Sequence, residues 1–366
     1  MHLVYLSPVP WASFAQRPHK FVEWFHFRSG SDVTWVDPYP TRLPALADLR
    51  RGRGGTGADA GIVPGWMTLL SPRALPLEPV PGSGTVNRLL LWSQVLRAVR
   101  KAVGQGESRI GIGKPSKLAL RILAENPDTP SFYDVMDDFP AFYSGWSRFA
   151  MDRHETRLLE RVDRILVSSS KLQSRLRRYG DKMTVALNAC AVDALPPVDT
   201  LSPATDRTII GYVGTIGHWF DWDLVIAIAE QNPSAIVRLV GPVYVPSTRP
   251  LPDNVELIPP CSHRAAIRAM QDFSIGMIPF KCNDLTASVD PIKYYEYRAL
   301  GLPVVSTGFG EMTQHAASDG VWLMHADADL AKQVRDALGY RFDPVQIREF
   351  RAANSWGARF DASGIL

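Results

Sequence analysis

The stretch DPIKYYEYRALGLPVVST, residues 290–307, sets a lysine and a glutamate one helical turn apart at the start of a helix. Asp290 reads as an N-cap and Pro291 as the first helical residue. Gly301 stands where a left-handed C-terminal residue is wanted, and Pro303 opens an apolar strand. A helix start presents unpaired N–H groups and a partial positive charge, so it attracts phosphate. Lys293 adds a full charge there, and Ile292 lines the same turn. Glu296 shares the face of Lys293 and offers two acceptor oxygens, which suit a ribose diol. An ion pair on a solvated helix is the plain alternative. The proline start, just after an expected cleft strand, favours a phosphorylated ligand.

Two more groups could do chemistry. Gly214, Thr215, Ile216 and Gly217 follow a strand expected at 209–213, where small residues let backbone amides approach a phosphate. His218 either adds a proton-bearing contact or packs beside Trp219, and Phe280 either lines a base pocket or packs in the core. In YDVMDDF, the strand Phe132–Met136 ends at Asp137 and Asp138. A carboxylate at a strand's carboxyl end can take a proton from an attacking hydroxyl. Capping of the next turn is the alternative for either aspartate.

The elements that must position these residues alternate strand and helix. Strands are expected at 2–7, 33–36, 109–112, 132–136, 164–168 and 184–187, then at 209–213, 236–240, 255–258, 275–279, 304–307 and 321–324. Helices between them are expected at 15–27, 85–103, 116–125, 145–161, 171–179, 223–230, 264–271, 291–300 and 329–338, with residues 41–84 mostly loop. This alternation implies α/β architecture, with two Rossmann-like, doubly wound domains facing across a cleft. The expected division is residues 1–190 for a first domain and 191–207, rich in Pro, Asp, Ser and Thr, for a linker. Residues 208–342 form a nucleotide-binding domain, and 343–366 a C-terminal segment crossing back onto the first domain. Ligands in such sheets bind at the carboxyl edge.

Composition narrows the class. The 366 residues are 46% hydrophobic and 21% charged, which is enough to build two cores. A net charge of +3 gives no footprint for nucleic acid. Cys190, Cys261 and Cys282 show no zinc spacing and no disulfide framework. A reducing, cytoplasmic setting is expected, since MHLVYLSPVP reads as a core strand rather than a signal peptide. No run is long and apolar enough to span a bilayer.

With IIGYVGTIGHWFDWDLV, DNVELIPP, DFSIGMIPF and the 290–307 block in this order, the chain resembles the GT-B glycosyltransferases. SFYDVMDDFPAFY, RVDRILVSSSKLQSRL and NACAVD carry the likeness in the first half. It looks most like bacterial enzymes of teichuronic-acid, capsule and exopolysaccharide assembly, and its YDVMD and IKYYEY are similar to those of the xanthan glucuronosyltransferase. The resemblance implies a nucleoside-diphosphate sugar donor, with UDP the expected nucleotide. It places the donor diphosphate and ribose on Lys293 and Glu296, and the catalytic base on Asp137 with Asp138 as runner-up. Retaining members often carry two glutamates separated by seven residues; here Ser288 stands in the first place, which tilts the expectation toward inversion. No cofactor or metal is expected.

The same resemblance assigns acceptor binding to the first domain, residues 1–190, and turns its first loop and helix toward a glycan or polyprenyl-diphosphate-linked acceptor. Ser13, Phe14, Arg17 and His19 become acceptor-binding candidates, with Lys20 beside them and Phe21, Trp24 and Phe25 for a lipid-like surface. The helix expected at 85–103 carries Arg88, Arg97, Arg100 and Lys101; its residues suit a core helix with a solvated basic face equally well, and the resemblance favours peripheral contact with the inner face of the cell membrane. A non-catalytic nucleotide-sugar-binding subunit of an assembly complex is the alternative function. A dehydrogenase ranks lower, because no GxGxxG opens a helix after the first strand.

Overall fold

The computed structural model describes residues 1–41, 62–75, 78–80, 82–201, 207–325 and 327–366. The chain divides into two compact units, residues 1–186 with 360–366 and residues 187–359.

The first unit is a parallel sheet of seven strands in the order β3-β2-β1-β4-β5-β6-β7. These are β1 (His2–Leu6), β2 (Val33–Val36), β3 (Met67–Leu70), β4 (Ser108–Ile112), β5 (Ser131–Val135), β6 (Arg164–Val167) and β7 (Met183–Val185). Helices α1 (Arg17–Ser29), α2 (Ser83–Leu90), α3 (Ser93–Val103), α4 (Lys117–Glu125), α5 (Gly145–Arg161) and α6 (Ser170–Arg175) join them. The central strands are buried on both faces, which is why LVYL and ILV read as unbroken apolar runs.

Two sequence expectations change here. A strand, β3, lies inside the stretch expected as loop and pairs with β2 from Val33↔Met67 to Val36↔Leu70. Its short run was hidden among the flanking prolines, glycines and arginines. The helix expected at 85–103 is two helices, α2 and α3. The amides of Leu91 and Trp92 both donate to the Asn87 carbonyl, and the Trp92 ring turns into the core against Tyr39. Burying that indole outweighs continuing one helix axis.

The second unit is a parallel sheet of six strands in the order β10-β9-β8-β11-β12-β13. It comprises β8 (Ile209–Val213), β9 (Ile236–Val240), β10 (Val255–Ile258), β11 (Ile275–Ile278), β12 (Val304–Ser306) and β13 (Val321–Leu323). Its helices are α7 (Trp222–Gln231), α8 (His263–Gln271), α9 (Ile292–Ala299), α10 (Leu330–Gly339), α11 (Pro344–Ala353) and α12 (Trp356–Asp361), the last ending in the first unit. In each sheet the strand order reverses once, between β1 and β4 and between β8 and β11. Ligand sites of open α/β sheets lie beyond the carboxyl ends at that switch point.

The division differs from the expected linker and tail. Described residues of the 191–207 stretch belong to the second unit, where Val192, Leu195 and Leu201 pack on its core. Helix α11 stays there too, since Arg351 caps the end of α9 by donating Nε–H to the Ala299 carbonyl at 2.7 Å. Residues 360–366 alone join the first unit. There the Phe360 ring meets Phe21 at 5.0 Å and Asp361 accepts from the Trp24 indole at 2.8 Å.

Gly241, just after β9, has φ 140° and lies so close to the loop after β8 that a Cβ would sit 2.1 Å from the Gly214 carbonyl oxygen. Gly241→Ala is expected to lower stability by about 1–3 kcal/mol through the strained backbone and the contact with main chain. Urea denaturation checks this, and an unchanged midpoint would show that the loop relaxes freely.

Candidate functional site

The carboxyl edge of the second sheet gathers most of the donor candidates. Beyond β8, Gly214 has φ 154°, and its N–H is bonded to the Val240 carbonyl at 2.9 Å. Thr215 is half-buried, and its carbonyl accepts the Tyr212 hydroxyl at 2.9 Å. Ile216 needs correcting as a donor contact. It is fully buried, its N–H donates to the Pro242 carbonyl at 2.9 Å, and its carbonyl accepts from Tyr244. The isoleucine anchors the loop on the core and leaves no amide for a phosphate. Gly217 is buried under the Trp219 ring, while His218 is exposed. Phe280, beyond β11, is half-buried and packs against Phe309 at 5.0 Å and Tyr212 at 6.2 Å. Gly214 and Phe280 therefore flank the switch point of this sheet.

Helix α9 begins at Ile292, one residue later than expected, because Pro291 keeps an extended backbone with ψ 118°. Its N-terminus has no side-chain cap. Asp290 is accordingly not the cap and not a free ligand contact. Its carboxylate is buried and accepts the Asn188 amide at 2.6 Å and the Tyr295 hydroxyl at 3.0 Å, while the Asn188 side chain donates to the Asp290 carbonyl. This clasp fixes the entry into α9 and was not foreseen, because Asn188 lies 102 residues earlier in the chain. Lys293 Nζ lies 2.5 Å from Glu296 Oε2, with Glu296 mostly buried and Lys293 partly exposed. These two side chains hold each other. Tyr297, on the same helix, accepts the Val213 N–H at 3.1 Å and ties α9 to the end of β8. Ser288 is buried in the preceding loop.

At the carboxyl end of β5 the two aspartates differ. Asp138 lies 3.6 Å from Arg175, which also binds Glu155 at 2.6 Å, and Glu155 accepts from the Tyr133 hydroxyl. Asp137 keeps partial solvent access, and its carboxylate takes part in no hydrogen bond or ion pair among the described residues. Protein crowds this carboxyl closely, and loss of water pushes its pKa up to about 7, against the pull of Arg17 and with the push of Asp134 and Asp138. An aspartate poised there suits proton abstraction near neutrality.

The acceptor candidates need the largest correction. Arg17 is buried, with Nε 2.9 Å from Asp134 Oδ2, Nη2 2.8 Å from Asp134 Oδ1 and Nη1 2.7 Å from the Ala186 carbonyl. It neutralises a carboxylate in the middle of β5 instead of facing an acceptor. The need for a partner was legible, since an aspartate inside SFYDV, on a strand buried on both faces, must be paired; which residue supplies it was not. His19 is also committed, its Nδ1 accepting from the Gln16 N–H and its Nε2–H donating to the Trp11 carbonyl, both at 3.2 Å. Burial, the main cause, lowers its pKa, so the ring stays neutral between Trp11 and Trp35. Phe21, Trp24 and Phe25 are core residues and form no lipid-facing surface. Ser13 is half-buried and Phe14 is exposed, both in the loop before α1.

Among the described residues, no group of three His, Cys, Asp or Glu side chains could hold a metal ion, and no helix is long and apolar enough to cross a membrane.

No protein-family model matches the chain. It is 26% identical over 197 residues to a protein of Bacillus subtilis (strain 168) that bears the name teichuronic acid biosynthesis glycosyltransferase TuaH. That match covers 48% of this chain and 49% of the relative, so the chain spans about half the length of the curated relative it matches. Among solved structures, the sucrose-phosphate synthase of Thermosynechococcus elongatus aligns over 100% of this chain and 98% of its own, at TM-score 0.67 and 15% identity. Anabaena HepE, solved with UDP and glucose, aligns over 96% and 98%, at TM-score 0.59 and 13% identity. The two parallel sheets and these alignments along the whole chain give the fold: it is that of the GT-B glycosyltransferases.

Proposed function

We propose that this protein is a glycosyltransferase that moves a sugar from a nucleoside-diphosphate sugar, UDP being the nucleotide, to a glycan or lipid-linked glycan hydroxyl, with inversion. The setting is bacterial surface polysaccharide synthesis. One observation carries the reading: at the end of β5, Asp137 holds a carboxylate free of partners among the described residues and poised near neutrality. A subunit that only bound nucleotide sugars would need no base. The likeness to a relative named for teichuronic acid biosynthesis and to a fold neighbour solved with UDP supports the donor class and the setting.

In this reading the donor diphosphate docks at the N-terminus of α9 and near Thr215. Its arrival splits the Lys293–Glu296 pair, so that the ammonium meets phosphate and the carboxylate meets the ribose diol. Asp137 takes the proton of the acceptor hydroxyl as that oxygen attacks the anomeric carbon and the C–O bond to the diphosphate breaks. UDP leaves with the bonding electrons. No resident cofactor or metal takes part. Ser13 and Phe14 remain candidates for acceptor contact. Exposed Phe142, Trp146 and Phe149, which follow the aspartates closely in the chain, offer the apolar surface that a lipid-linked acceptor or peripheral membrane contact requires.

UDP release from a panel of UDP-sugars tests the activity, and a protein that binds UDP yet never releases it from any donor would be a scaffold. Lys293→Ala is expected to weaken UDP binding by about ten- to a hundredfold, the worth of one charge-assisted contact. Calorimetry measures this, and an unchanged affinity removes α9 from the donor site.

A further inference from the structure

On the outer helical face of the first unit, α2, α4 and α5 enclose a groove of about 460 Å³. It is lined by Arg88 of α2, by Lys117 and Arg121 of α4, and by His154, Arg157 and Arg161 of α5. None of the residues assigned to sugar transfer lines it. We propose that this groove is a second binding site, for a phosphate-bearing ligand.

The spacing of the cations is the first argument. Lys117 and Arg121 are four residues apart on one helix, as are Arg157 and Arg161 on the next, so like charges face each other on both walls. Each such pair repels along its helix, and bringing the two walls together adds to that repulsion. An anion held between them relieves it.

Incomplete compensation within the protein is the second argument. Arg121 pairs with Glu125 at 2.6 Å, and Lys117 Nζ donates to the Val80 carbonyl and the Ser83 hydroxyl. Arg161 reaches the Leu120 carbonyl at 3.3 Å. Arg88 and Arg157 form no ion pair among the described residues. The acid behind the groove, Glu78, is fully buried, and one of its oxygens is spent on the Lys117 N–H at 2.6 Å. Its burial raises its pKa, against the hydrogen bonds it accepts from Lys117 and Tyr39. His154 Nδ1 lies 3.8 Å from Glu78 Oε1. Burial, with Lys117, Arg157 and Arg153 nearby, lowers its pKa to about 4, so this ring lines the groove as a neutral hydrogen-bonding group at neutral pH.

Arginine suits this chemistry, because its planar fork matches phosphate oxygens in pairs. The ligand comes either from solution, as a phosphorylated metabolite, or from the headgroups of anionic lipid. Both offer the same phosphate oxygens, and exposed Leu89 and Leu90 follow Arg88 on α2.

The test measures direct binding and so stands apart from the sugar-transfer reading. The full-length protein is titrated by calorimetry with inorganic pyrophosphate, in the presence of saturating UDP to occupy the donor site. In parallel it is sedimented with vesicles of phosphatidylglycerol or of phosphatidylcholine. The partner is the double variant Arg88→Glu/Arg157→Glu, with circular dichroism checking its fold. Should it not fold, Arg157→Gln, at an exposed position, takes its place. The expected result is pyrophosphate binding that the double variant weakens at least about tenfold. Pyrophosphate binding assigns the soluble source. Binding to phosphatidylglycerol vesicles alone, lost in the variant, assigns the lipid headgroup. Binding of neither probe, or equal binding by the variant, overturns the proposal.

Discussion

Asp137→Asn is expected to lower kcat by about a hundredfold to ten-thousandfold, the usual worth of a positioned base, while UDP affinity stays close to that of the wild type. The amide keeps the size of the side chain and removes the basic oxygen. Asp138→Asn should cost far less, because that carboxylate already shares Arg175 with Glu155. The wild-type pH profile carries a second signature. The base works ionised, so kcat/KM should rise with pH through about 7, and Asp137→Asn should erase that limb. Stability runs the opposite way. The folded carboxyl holds its proton up to about 7, whereas an ordinary aspartate loses it near 3.8. Between those values the folded state binds the extra proton, so this group's contribution to stability is lost as pH rises across that window. Asp137→Asn should remove that decline in a urea titration. A variant that transfers sugar at the wild-type rate would place the base elsewhere.

Arg17→Leu is expected to destabilise the first unit by about 3–5 kcal/mol, because it leaves Asp134 charged and unpaired in a strand buried on both faces. The double variant Arg17→Leu/Asp134→Leu should recover much of that loss, since replacing both members of a buried pair with apolar residues is often close to neutral. Urea midpoints of the two variants decide it. A wild-type midpoint for Arg17→Leu would mean that water reaches Asp134. Kinetics adds a readout that a purely structural role would not move. Arg17 draws the Asp137 pKa down and Asp134 pushes it up, so removing Arg17 alone should shift the rising limb to higher pH.

Periodicity made the two sheets legible. A parallel strand covered on both faces is mostly apolar along its length, so LVYL, ILV and IGMI announce themselves without any partner in view. The short β3 did not, because a four-residue edge strand among prolines and glycines carries too little pattern. Positions that follow from local geometry were legible as well. Asp137 at the end of its strand, the Gly214 turn and the Lys293–Glu296 pair on one turn of α9 each depend on a few neighbouring residues.

Partnership across long separations was decided by tertiary structure alone. Arg17 meets Asp134 over 117 residues, and Asp290 meets Asn188 over 102. A free arginine in a loop and a buried arginine spent on a carboxylate look the same in a sequence, and the cost of desolvating each charge separates them only once the chain has folded. The groove on α2, α4 and α5 is of the same kind. Its arginines are scattered along the sequence, and only the packing of three helices brings their charge to one place. The amino-acid sequence thus determined the elements and the residues able to do chemistry. Folding decided which of those residues stay free for a ligand, because burial and pairing are properties of the whole unit.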